Sequence, residues 1–325
     1  MKRTQTKTQP KLYQPSEKRV RLGIFYLVLS AFFFALMGLF VRLSGDLPTF
    51  QKSFFRNLIA TLVAFSLLVK SGSLKMQKGS LPALLVRSVA GTVGIVCNFY
   101  AVDNLTVADA SILNKLSPFF TIIFSAWLLK EKASVKDWVL VGVAFIGALF
   151  VVKPDFSSTQ SVPAFIGVLG GLGAGLAYTC VHYLGGKGER TAFIVFFFSA
   201  FSTLAVLPMT IIQFVPMSGL QVLYLLLAGA SASAAQFAIT AAYKCAPAKE
   251  ISVYDYSQVL FSALLGILFL SELPDLLSFI GYIVIIGAAV VKYLLSLRAH
   301  RQQTAVNPQP PTTETSEKTD GAGTS

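Results

Sequence analysis

The sequence predicts an all-α integral membrane protein of ten transmembrane helices, arranged as two inverted five-helix repeats. Three observations carry that expectation. Ten apolar runs, beginning near Leu22, Phe54, Ala83, Ser111, Trp138, Pro163, Phe193, Leu220, Ile251 and Leu277, each continue for roughly 18–22 residues, enough for a helix to cross a hydrocarbon core of ~30 Å. The Lys and Arg residues fall almost entirely in alternate joints between these runs. Polar punctuation recurs at a constant offset between the first five runs and the second five. Composition agrees: 325 residues that are 54% hydrophobic and 13% charged are too apolar for a soluble domain.

The charges orient the runs. A basic segment with Lys2, Arg3, Lys7, Lys11, Lys18, Arg19 and Arg21 precedes the first run. Lys70, Lys75 and Lys78 follow the second; Lys130, Lys132 and Lys136 follow the fourth; Lys187 and Arg190 follow the sixth; Lys244 and Lys249 follow the eighth; Lys292, Arg298 and Arg301 close the tenth. Arg42, Lys52 and Lys153 are left for the other side. Such asymmetry places both termini in the cytoplasm of a multi-pass plasma-membrane protein. The basic tail leads into a run too long for a cleavable signal, so the first helix is its own insertion signal. The expected organisation is a disordered basic tail over 1–21, repeats over 22–153 and 163–297, and a disordered tail over 298–325 rich in Thr, Pro, Ser and Glu.

Function classes are excluded in turn. A net charge of +12 could suit nucleic acid, but these cations lie in short joints and a tail, and no nucleic-acid partner is expected. Cys97, Cys180 and Cys245 are scattered in helices without a C-x-x-C pair, and fit apolar packing rather than a disulfide framework or a metal site. The histidines are His182 and His300; no H-E-x-x-H or G-x-S-x-G occurs, so no enzyme and no cofactor is called for.

The repeat points to function. Ala101, Ser111 and Glu131 fall onto Ala242, Ser252 and Glu272, and in each copy a polar stretch leads into a long apolar helix ending in Leu-x-Glu. Five helices per repeat invert the second copy, so Glu131 is expected at the cytoplasmic end of helix four and Glu272 at the outer end of helix nine. Inverted repeats place a site near the bilayer midplane that either side can expose, a natural basis for transport.

The segment Phe99–Val152, with the Arg-bearing Phe54-Phe55-Arg56-Asn57-Leu58-Ile59-Ala60 of helix two, resembles the EamA-type domain of the drug/metabolite transporter superfamily. The resemblance implies ten helices, a cavity between the halves, and alternating access for small organic solutes. Ser117-Pro118 in helix four is replaced by Gln258-Val259 in helix nine, so no matching kink is expected in helix nine.

Ionisable residues inside spans mark pathways or partners. Counting along continuous helices places Lys115 about 24 Å above Glu131 and Asp255 about 25 Å below Glu272, which separates the two by about 15–20 Å of depth. Two vestibules of different sign follow: Arg56, Asn98 and Lys115 in the outer one, and Arg87, His182, Gln236, Tyr243, Lys244 and Asp255 in the inner. Arg56 and Arg87 are also close enough to helix ends to snorkel. Asn98, Asn114, Ser117, Gln236 and Gln258 could bind a ligand or join helices. Tyr178, Tyr254 and Tyr256 could stack on an organic ligand or belong to interfacial belts. Between the vestibules, Gly167, Gly171 and Gly175 share one face of helix six and, with Ala228–Ala234 of helix eight, form a closely packed waist.

The expected function is secondary transport of an amino-acid-like or other zwitterionic or anionic metabolite, with a titratable Asp255 open to proton or exchange coupling. Export of drugs or nucleoside-type metabolites, or a non-transporting membrane scaffold, are the alternatives.

Overall fold

The computed structural model describes residues 16–72, 75–104, 113–152, 161–270 and 274–306. Among them there is no strand. The helices are α1 (Glu17–Leu43), α2 (Thr49–Lys70), α3 (Leu81–Asn104), α4 (Ser117–Leu128), α5 (Val135–Val152), α6 (Ser161–Gly186), α7 (Thr191–Ile212), α8 (Gly219–Cys245), α9 (Ala248–Leu270) and α10 (Leu276–Val306). Eight are long and apolar enough to cross a membrane, and α4 is a shorter apolar helix. With its 18 residues, α5 rises about 27 Å. The first helix starts at Glu17, inside the expected tail, and α10 continues past position 298 to Val306. Glu272 and Lys153 lie outside the described residues.

Local chemistry sets the helix ends. Left-handed glycines follow α1 and α2, where Gly45 (φ +70) and Gly72 (φ +67) let the chain turn while the carbonyls of the last helical turn accept backbone N–H groups. A reciprocal capping box of Ser218 and Gln221 starts α8. Pro118, in the first turn of α4, occupies a position where the missing N–H costs nothing.

Two faces emerge from the joints. On the basic face, Lys187 Nζ donates to the Gly79 carbonyl (3.0 Å), Arg190 reaches Ser71 Oγ (3.1 Å) and the Lys75 carbonyl (3.2 Å), and Lys249 Nζ reaches the Lys132 carbonyl (3.2 Å). The α2–α3, α4–α5, α6–α7 and α8–α9 joints therefore share one side. On the opposite face, Gln51 exchanges hydrogen bonds with the Val215 backbone (2.9 and 3.0 Å), and Gln221 Nε2 donates to the Ser44 carbonyl (3.2 Å).

Packing follows the repeat. The most extensive contacts are α1 with α8, α3 with α6, α2 with α7 and α5 with α10. Exchanging each helix for its repeat mate converts α1–α8 into α6–α3, and α1–α9 into α6–α4, so the contacts themselves obey a pseudo-two-fold. Two inverted three-helix groups result, α3–α4–α6 and α8–α9–α1, spanned by the α2–α7 and α5–α10 pairs. The repeats are thus interleaved instead of forming separate lobes. Small residues allow this: a Cβ on Gly173 would lie 2.6 Å from the Ala90 carbonyl oxygen, and one on Gly171 would lie 2.8 Å from that of Leu113. The stripe Gly167, Gly171, Gly175 packs on Leu113–Thr121, the turn at Lys115–Leu116 and the start of α4 that follows it.

Candidate functional site

Between the two groups lies a cavity of about 200 Å³. The α3–α4–α6 group contributes Arg87, Asn98, Asn114, Lys115, Ser117 and Tyr178; the α8–α9–α1 group contributes Phe34, Met37, Gln236, Asp255 and Gln258; α2 and α7 supply Arg56 and Phe198. Residues expected in separate vestibules therefore meet in one chamber.

An ion pair lines this chamber. Lys115 Nζ lies 3.0 Å from Asp255 Oδ2 and also donates to Gln258 Oε1 (2.7 Å) and the Asp255 carbonyl (3.3 Å). Tyr256 Oη returns a hydrogen bond to the Lys115 carbonyl (3.0 Å). The expected separation of Lys115 from Asp255 is incorrect because neither helix is continuous. The chain turns at Lys115–Leu116, and α4 has only 12 residues, a rise of about 18 Å. Asp255 lies in a 3-10 segment, Ser252–Tyr256, ahead of the 14 residues Ser257–Leu270, a rise of about 21 Å. Both residues therefore fall nearer the midplane than a full span allows, and the long lysine side chain covers the remainder.

The break in α9 also corrects the expectation of an unkinked helix nine. No proline occupies it; polar groups satisfy its loosened carbonyls, Ser257 Oγ that of Tyr254 (2.7 Å) and Lys115 Nζ that of Asp255. Irregular backbone at membrane depth is tolerated where it is buried in protein or lines a cavity.

Snorkelling is likewise overturned for the two arginines. Arg87 is 1% exposed and Arg56 8%. The Arg87 guanidinium lies over the Phe198 ring, 3.6 Å from its centroid, beside Gly91, where a Cβ would come within 2.6 Å of Nη1. Its Nε and Nη1 have no hydrogen-bond partner, and neither does Gln236 Nε2. Among the described residues, Arg56 Nε donates to Met37 Sδ and Nη1 to Asn57 Oδ1, both at 3.3 Å.

Four candidates lie elsewhere. Tyr256 is fully buried beside Phe145, and Tyr254 belongs to the same core. His182 and Lys244 belong to a seal on the basic face. There, Tyr178 stacks on Tyr243 (5.1 Å), His182 contacts the Tyr243 carbonyl and lies 2.9 Å from Glu131 Oε1, and Lys244 donates to the Glu189 carbonyl. These contacts join α6 and its neighbours to α8, across the two groups. The sequence reading missed Phe34, Met37, Gly91, Gly94 and Phe198. A signal existed on α3: Arg87, Gly91, Gly94 and Asn98 follow 4-3-4 spacing and share one helix face.

Comparison with known proteins places these features in context. The sequence matches the EamA-like transporter family over residues 21–153 and again over 162–294. It is 36% identical over 273 residues to the pseudopaline exporter CntI of Pseudomonas aeruginosa, covering 83% of this chain and 95% of that protein. Identity is 28% to human solute carrier family 35 member G1 (85% and 80% covered) and 23% to the S-adenosylmethionine uptake transporter of Rickettsia prowazekii (76% and 84%). A crystal structure shares the fold with a TM-score of 0.77 at 16% identity, covering 87% of this chain and 99% of its own.

Proposed function

Because the chain belongs to the EamA-like transporter family, a family of membrane transporters and not of enzymes, we propose that it is a plasma-membrane secondary transporter of a small anionic or zwitterionic, amino-acid-like metabolite, working by alternating access. The observation that carries this is the cavity between the two groups in which Arg56, Arg87, Lys115 and Asp255 converge from both repeats. Ionisable groups inside the spans are costly unless a partner or a solute meets them. A volume of about 200 Å³ favours a small metabolite over a drug-sized or nucleoside-type cargo, for which pockets of roughly 300 Å³ and above are usual.

In this reading the moving bodies are the α3–α4–α6 and α8–α9–α1 groups, not the two repeats. Opening toward the basic face parts the Tyr178–Tyr243 stack and the contacts of His182 and Lys244, while Lys115 and Asp255 re-form or exchange partners as solute enters. The abundance of Lys and Arg assigns the basic face to the cytoplasm. Proton or exchange coupling would run through Asp255, whose charge decides whether Lys115 is free for a solute. Relatives named as an exporter and as an uptake transporter leave direction to experiment. The test is solute flux in proteoliposomes with a panel of amino-acid-like acids. Gradient-dependent flux that Lys115→Ala weakens is the expected result, and absence of flux for every acid sinks the proposal.

A further inference from the structure

The cavity holds more positive charge than it neutralises. Of its four charged side chains, Lys115 and Asp255 satisfy each other, which leaves two guanidiniums without a carboxylate partner among the described residues. Burying one unpaired charge is expensive, and burying two is worse. Such a site persists when something else supplies the counter-charge.

Arg87 has the geometry of a prepared receptor. Phe198 fixes its plane from one side and Gly91 leaves room for its edge, while Nε and Nη1, two of its three nitrogens, have no acceptor. Nε–H and Nη1 point apart, so each fork of the guanidinium pairs one of them with Nη2, and such a planar fork matches the two oxygens of a carboxylate. Gln236, 4% exposed, adds a second unmet donor from the facing group. Arg56 enters from elsewhere: it lies in the second turn of α2, about 10 Å from the opposite face, whereas Arg87 lies in the second turn of α3, about 9 Å from the basic face. Both helices are continuous through these residues, so the two cations approach the chamber from different depths. Two cations that enter on separate helices, neither with a carboxylate of its own among the described residues, suit two anionic groups of one molecule.

We propose that the cavity is built for a solute bearing two carboxylates, one held by Arg87 with Gln236 and the other by Arg56. This rests on the cavity being the solute site. The Lys115–Asp255 pair lines the same cavity and provides a carboxylate and an ammonium to meet a further polar group of the solute, as in an amino dicarboxylate. Asn98 and Asn114 complete a polar lining that needs no further charge.

The experiment measures ligand-induced thermal shift and calorimetric binding on the full-length protein in detergent. The probes are succinate, glutarate and adipate, set against butyrate, glutaramide and inorganic phosphate. At least one dicarboxylate should raise the unfolding midpoint in a dose-dependent way, while butyrate and glutaramide leave it unchanged. Arg87→Lys keeps the charge and loses the fork; it should weaken dicarboxylate binding by roughly tenfold or more, the factor that a lost charge-assisted hydrogen bond carries. Arg56→Gln should bring glutarate down to the level of butyrate. Butyrate binding as well as glutarate in the unmodified protein, phosphate outcompeting every dicarboxylate, an unaltered response in Arg87→Lys, or no response to any probe would each overturn the proposal. Flux separates it from the transport reading: binding without flux in proteoliposomes sinks transport alone, and flux confined to monocarboxylates or uncharged solutes sinks the dicarboxylate assignment alone.

Discussion

On the basic face, cations are matched to acceptors. Lys292 lies 2.8 Å from Asp137 and 3.3 Å from Glu250, tying α10 to α5 and α9, while Arg190, Lys187 and Lys249 donate to joints on neighbouring helices. In the chamber, Arg87 and Arg56 are buried like Lys292 and, among the described residues, have no carboxylate partner. Lys115 stands between the two cases, in the chamber but paired. The difference separates charges that hold the fold together from charges held ready for something that the fold does not contain. Removing a matched charge should destabilise the protein; removing an unmatched one should not.

The largest effect is expected at the paired residue inside the chamber. Asp255→Ala leaves the buried Lys115 ammonium without its carboxylate and should cost about 3–5 kcal/mol, the usual penalty for breaking a buried pair by one partner. Denaturation in a fixed detergent measures it. The swap Lys115→Asp with Asp255→Lys should recover part of that loss, because the two side chains touch. A swap no better than the single variants would mean that the contact contributes little.

Next comes the tie on the basic face. Lys292→Met leaves Asp137 and Glu250 without their shared cation and should cost about 1.5–3 kcal/mol, the range for hydrogen bonds to charged groups. Unlike Asp255→Ala, it should leave solute binding intact, since it is remote from the chamber. Loss of binding would erase the distinction between the regions.

A packing change sharpens the comparison from another direction. Gly171→Leu forces a side chain onto the Leu113 carbonyl beneath the Lys115 turn, and overpacking of this kind costs about 1–3 kcal/mol. It should lower both stability and flux. Gly142→Ala, where a Cβ meets nothing within 4 Å, should leave both unchanged. The smallest effect is expected at the helix-start capping box: Ser218→Ala should cost about 1 kcal/mol without touching transport.

The sequence is most legible where physics acts on long averages. Run lengths and the alternation of Lys and Arg convey the helical spans and the two faces, because lipid demands the first and insertion the second. The polar punctuation around Glu131 conveys the repeat. What it hides depends on single residues breaking regularity. Depth counted along an unbroken helix is misleading for Lys115 and Asp255, since the turn at Lys115 and the 3-10 segment Ser252–Tyr256 shorten the climb. No proline announces the second break. Arg56 and Arg87 look like interfacial anchors by position, and only packing reveals that Phe198 and Gly91 draw Arg87 inward. His182 and Lys244 are polar in the same way as the chamber residues, yet their partners Glu131 and Glu189 come from joints whose approach only the assembled helices define. Tyr254 and Tyr256 resemble ligand-stacking residues until the break in α9 turns them into the core.

The sharpest discrimination comes from thermal unfolding of the solute-free protein carrying either Lys115→Met or Arg87→Met in the same detergent. Lys115→Met, which leaves Asp255 as an unpaired buried carboxylate, should lower the midpoint. Arg87→Met, which removes a buried charge that has no carboxylate partner among the described residues, should leave the midpoint unchanged or raise it while abolishing the response to dicarboxylates. A fall of equal size in both variants would show that Arg87 is a structural residue, and the chamber would lose its standing as a site waiting for an anion.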